Sequence, residues 1–233
     1  MIIIFIVLTL TYLNYNIVNE VDKIFVTLST FLFSIFIGFF ISRQSGRYGE
    51  IRKLTADFDG TMSAIYRAMG HLGEDAQKRT GEIIKNHYEM IVKNGWDYPF
   101  TNKTTTITDL HKLMEETVKE KGLDGVKGAV VTRNMLGLQD LQKIRKNMVS
   151  LREERIPSFQ WLLICLIAVI LVTTVSTITS VDSLVISLIK AAFVSSVLVA
   201  IILLRQLDDL KLFSGKIGEF SAQDAINIIE GKK

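Results

Sequence analysis

Four long apolar blocks constrain what this chain can fold into more than any other feature. They occupy residues 2–18, 24–41, 159–178 and 184–204. A helix that crosses a bilayer needs roughly 20 apolar residues, with about 17 as the short limit. The last two blocks meet that length comfortably and the second meets it. The first, thinned by Asn14 and Asn16, is marginal. Hydrophobic residues make up 48% of the 233 and charged residues 22%, so the charge is segregated between the blocks. The first block has no basic segment before it and no small-x-small cleavage site after it, and it reads as a retained helix.

The charges between the blocks set an orientation. Residues 14–23 carry Glu20, Asp22 and a single lysine, and residues 179–183 carry Asp182. Arg43, Arg47, Arg52 and Lys53 follow the second block. Arg152 and Arg155 precede the third, and Arg205 and Lys211 follow the fourth. Basic residues concentrate on the cytoplasmic side of membrane helices. The expectation is therefore two helical hairpins that enter from the cytoplasm, with both termini cytoplasmic. The domain plan is a first transmembrane hairpin over 1–42, a cytoplasmic helical region over 43–157, a second hairpin over 158–205 and a C-terminal tail over 206–233.

The central region has helical periodicity. Leu54, Phe58, Met62, Ile65, Met69 and Leu72 recur at steps of three and four, as do Ile83, Ile84, Tyr88 and Ile91. The second of these helices is expected to end at Gly95. A third is expected from an N-cap at Thr108 to just before Gly122, followed by a loop over 122–128. Pro157 marks the boundary with the third span. No strand alternation and no repeat period stands out. The fold class is an all-α membrane protein with four transmembrane helices and a large helical cytoplasmic insert.

Chemistry is sparse. There is no H-x-x-x-H, no G-x-S-x-G and no phosphate-binding glycine loop, so an enzyme is not expected and no cofactor is implied. His71, His87 and His111 lack metal-ligand spacing. The net charge of +3 and the absence of basic runs interleaved with aromatics argue against nucleic acid. The single cysteine, Cys165, precludes an intrachain disulfide and reads as a packing residue. Asp57 and Asp59 lie two apart on a helix, point to different sides and read as solvated. Lys190 is the one charge inside a span. A lysine there snorkels toward the outer leaflet, pairs with Asp182 or attracts anions at an outer vestibule.

The second block ends abruptly in "IFIGFFISRQSGRYGEIRKL". Phe31, Ile35 and Phe39 stack along one helical stripe, beside a small-residue stripe of Ser34 and Gly38 suited to close helix packing. By spacing alone, the apolar stripe faces lipid, a neighbouring helix or a pore. The residues that follow resemble the bestrophin family. Its second span ends in Gly-Phe, with an Arg-aromatic pair nine residues after the glycine and then, in prokaryotic relatives, E-x-R-K-L. Here Gly38-Phe39, Arg47-Tyr48 and Glu50-x-Arg52-Lys53-Leu54 fall in that register without a gap. "HYEMIVKNGW" is similar to the divergent bestrophin-like domain family, and "LDDLKLFSGKIGEF" resembles the acidic segment after the family's last span, without its proline.

The resemblance implies a homo-oligomer, a pentamer in the family, that conducts mainly anions. It also implies a hydrophobic neck at Phe31, Ile35 and Phe39. Arg43 and Arg47 would then lie near an inner mouth, as ion-attracting charges or as headgroup anchors paired with carboxylates, and Arg47 reads as structural. Gly49 stands where the family has a second aromatic. Asp208 and Asp209 are the only weak candidates for a calcium site. The implied partners are membrane lipid, other copies of the chain and inorganic ions, in a multi-pass position in a prokaryotic inner membrane. The alternative is a non-conducting, membrane-anchored helical scaffold that binds a cytoplasmic partner.

Overall fold

The computed structural model describes residues 6–7, 23–121, 125–177, 184–211 and 218–231. Its helices are α1 (Lys23–Met69), α2 (Glu74–Asn94), α3 (Tyr98–Thr101), α4 (Thr106–Lys121), α5 (Gly125–Glu153), α6 (Ser158–Thr177), α7 (Leu184–Asp208) and α8 (Gly218–Ile229), with a 3-10 turn over Gly70–Leu72. No strand occurs among the described residues, whose regular structure is all helical, as expected. Among the described residues, three helices are long and apolar enough to cross a membrane: the start of α1, α6 and α7. The first apolar block lies outside the described residues except for Ile6 and Val7, which are helical.

The chain divides into two compact units. One comprises 1–46 with 155–209, and the other 47–154 with 210–233. In the first, Phe33, Ile37 and Phe40 of α1 pack with Ile164, Ala168, Leu171 and Val175 of α6 and with Val197 and Leu204 of α7. These positions recur at steps of three and four, so each helix turns one stripe inward. The opposite stripes are bare and large: Leu162 is 72% exposed, Val169 62% and Ile189 63%. Lipid tails are as apolar as leucine, so such faces are stable in a bilayer, and the inner contact is held by close packing. Cys165 is exposed on α6, not packed inward as expected, because the buried stripe passes through its neighbour Ile164.

One polar staple closes this unit. Asp208 is buried at the end of α7, where its carboxylate accepts from the Ile156 backbone N–H at 2.8 Å and from Trp161 Nε1 at 3.3 Å. Ile156 precedes Pro157 and the first turn of α6, so a backbone donor outside any helix finds its acceptor in a side chain. Asp209 pairs with Arg205 at 3.2 Å and Arg155 at 3.7 Å, and Arg205 also lies over the Trp161 ring.

In the second unit, Phe58, Met62, Ile65, Met69 and Leu72 form the buried face expected from their spacing, joined by Ile84, Tyr88 and Ile91 of α2 and by Leu110 and Met114 of α4. Helix α2 does end at Gly95, which takes φ 98° while its N–H caps Ile91 O. Only glycine adopts that left-handed backbone without strain. Two boundaries differ from expectation. Helix α4 begins at Thr106, not after Thr108, and residues 125–128 belong to α5, not to a loop. Helix α8 docks on α2 through Ala222, Ala225 and Ile226. Gly81 permits this approach, since a Cβ there would lie 3.1 Å from both Ile229 and Tyr66.

Candidate functional site

Helix α1 carries most of the residues singled out by the sequence, and its faces separate sharply. Phe33, Ile37 and Phe40 are 7%, 8% and 3% exposed. Phe31, Ile35 and Phe39 are 61%, 51% and 60% exposed. The packing of the first unit therefore uses one stripe and leaves the other three side chains aligned and uncovered. Ser34 and Gly38 are also exposed, and nothing lies within 4 Å of where a Gly38 Cβ would stand. Among the described residues of one copy, nothing packs onto Gly38.

Beyond the apolar stretch, Arg43 is exposed and Gln44 is buried. Arg47 is 5% exposed, although it is charged. Its Nε donates to Leu151 O at 2.6 Å and its Nη2 donates to Arg152 O at 2.8 Å. These carbonyls belong to the last turn of α5, where acceptors have no intrahelical donor and the helix dipole favours a cation. Arg47 is thus a C-terminal cap supplied by another helix. Tyr48 lies half-buried beside it, against the cluster of Ile51, Met148 and Leu210. Glu50, Arg52 and Lys53 are exposed. The Arg-aromatic pair and the charges that follow it therefore do different things: Arg47 and Tyr48 tie α1 to α5, and the rest face outward.

Lys190 is half-buried on α7, two turns from its start. The two calcium candidates are occupied by donors: Asp208 holds Ile156 and Trp161, and Asp209 faces two arginines. No group of three or more His, Cys, Asp or Glu is placed to hold a metal among the described residues.

Three groups escaped the sequence reading. Asp59, expected to be solvated, accepts from Tyr88 Oη at 2.7 Å and from Ser221 Oγ. Burial raises its carboxyl above the usual range, and the two hydroxyl donors oppose that rise. Tyr88 is pushed well up by its own burial and by the Asp59 charge. Asp59 follows Phe58 on the core face, and that adjacency was the available signal. His87 is 2% exposed, stacks on Phe58 and shares a hydrogen bond with Thr106 Oγ1 at 3.1 Å. Burial, helped by Arg145, lowers it to about 4. Asn134 is 2% exposed on α5, and its amide nitrogen has no partner.

A helical chain with, among its described residues, three helices long and apolar enough to cross a bilayer and large apolar side chains on their outer faces fits the class of membrane proteins. The family model of the bestrophin-like domain matches residues 3–218, so the chain belongs to the bestrophin-like family. No curated protein and no solved structure matches it. Members of the family are channels and not enzymes, and membership suggests a membrane channel-type protein.

Proposed function

We propose that several copies of this chain assemble around a common axis and conduct ions, with Phe31, Ile35 and Phe39 of each copy forming a hydrophobic neck. The observation that carries the reading is the separation of the α1 faces. Phe33, Ile37 and Phe40 do the packing, while the three neck residues stay half or more exposed, Phe39 meeting the Phe40 ring edge-on. Rings of such side chains gate by dewetting, since a narrow apolar constriction expels water and opens with modest widening. The exposed Arg43 at the end of the apolar stretch supports an inner mouth where anions concentrate. Five copies, a preference for anions and a prokaryotic inner membrane follow the family resemblance, and cytoplasmic termini follow from the basic residues that flank the spans. Lys190 is the candidate for an outer vestibule. Arg47 is a structural residue in this scheme, because its donors are taken by carbonyls.

Purified protein in liposomes tests the reading. Replacing Phe31, Ile35 and Phe39 together by Ala widens the neck, and anion flux should rise several-fold over the unaltered protein. Unchanged flux in the triple variant refutes the gate, and absence of flux in both refutes conduction.

A further inference from the structure

Within the helical unit, α1 and α5 border an open groove of about 690 Å³. Sites for small molecules commonly measure roughly 300–1,000 Å³. Gly60 stands on the α1 wall and Gly137 on the α5 wall. A Cβ at Gly60 would meet nothing within 4 Å, so the missing side chain leaves room in the groove and relieves no contact inside the unit.

Asn134 lines this groove. It is 2% exposed, and its amide nitrogen has no hydrogen-bond partner. A buried donor left without an acceptor destabilises the fold. Leucine has nearly the same volume and carries no such cost, so packing alone gives no reason for an amide at this place. An acceptor that arrives from outside the chain does.

The remaining lining says what kind of molecule brings it. Asp140 and Lys143 hold each other at 3.3 Å. Asp57 and Arg133 are exposed, and neither makes an ion pair among the described residues. The charges are balanced, so the groove offers no single-sign field for a polyanion. No aromatic side chain lines it among the described residues. A nucleobase would find no ring to stack on, and a quaternary ammonium no cage. One open cation, one open anion, a buried amide donor and the apolar side chains of Leu136 and Ile144 remain.

We propose that the groove between α1 and α5 binds a small zwitterion of the free amino-acid class. Its carboxylate accepts from the Asn134 amide and pairs with Arg133, and its primary ammonium donates to Asp57. Exposed ion pairs contribute little by themselves, so the buried amide bond decides the affinity. A molecule with only one of the two charged groups should bind weakly. The proposal stands apart from conduction, because the groove lies wholly in the helical unit and its occupancy is read without flux.

The test uses the full chain in detergent or lipid nanodiscs, melted with each standard amino acid at about 10 mM and constant ionic strength. A ligand that binds only the folded state raises the melting temperature by mass action. At least one amino acid should raise it by about 3 °C or more. Acetate and methylamine, which carry the two charges separately, should not. Titration calorimetry then gives Kd. Asn134→Leu should weaken binding about tenfold or more, while the ligand-free protein melts at the same temperature or higher, because the unmet donor is gone. If that variant melts poorly, Gly60→Leu decides. It fills the groove from an exposed helix position where leucine is the better helix former, and it should abolish binding without lowering the ligand-free melting temperature. No shift from any amino acid overturns the proposal and leaves water as the partner of Asn134. A shift that acetate or methylamine reproduces overturns it too, as does binding that survives in Gly60→Leu.

Discussion

Arg47→Gln is the sharpest test of how the motif after the second apolar block works. The guanidinium is 5% exposed and makes two bonds to the closing carbonyls of α5, at 2.6 and 2.8 Å. Hydrogen bonds to a charged group contribute about 1.5–3 kcal/mol each. Glutamine removes the charge and cannot reach both oxygens, so the loss is roughly 3–6 kcal/mol, with no discount for solvent screening at this burial. The helical unit holds about 130 residues. In a unit of that size 1 kcal/mol shifts the melting temperature by about 3 °C, so Arg47→Gln should lower it by roughly 10–20 °C. Arg47→Lys keeps the charge but loses the fork geometry and should fall between the two. Circular dichroism melts of the purified protein in detergent measure this directly. A melting temperature for Arg47→Gln within about 3 °C of the unaltered protein would refute the capping argument. Altered flux at unchanged stability would move Arg47 to the ion path.

The other predictions concern groups the motif does not include. His87 is held near 4 in the folded unit against about 6.5 when unfolded. The unfolded chain therefore takes up its proton first on acidification, and the stability His87 contributes above pH 6.5 is lost as pH falls toward 4. At about 1.4 kcal/mol per unit this is on the order of 3 kcal/mol, and His87→Leu should flatten the pH dependence of denaturant unfolding between pH 7 and 4.5. An unchanged slope would refute the assignment. Asp208→Ala strands the buried Ile156 N–H and the Trp161 N–H. It should destabilise the first unit by about 2–4 kcal/mol, measured by thermal melting. Asp208→Asn, which keeps an acceptor oxygen, should recover at least half of that.

Much of the architecture was legible because it follows from periodicity. The stripe from Phe58 to Leu72 and the span-forming lengths of α1, α6 and α7 need only spacing and polarity to be recognised. Gly95 was legible as a helix end because few residues take its backbone conformation. The boundaries that slipped, at Thr106 and Gly125, lie where local capping signals compete with packing, and packing chose the longer helices. The polar contacts were not legible for a different reason. Asp59 with Ser221 and Arg47 with Leu151 join residues 162 and 104 apart in sequence, and no local pattern encodes such pairs. The register of Phe31, Ile35 and Phe39 came through resemblance, and their exposure came only with the fold.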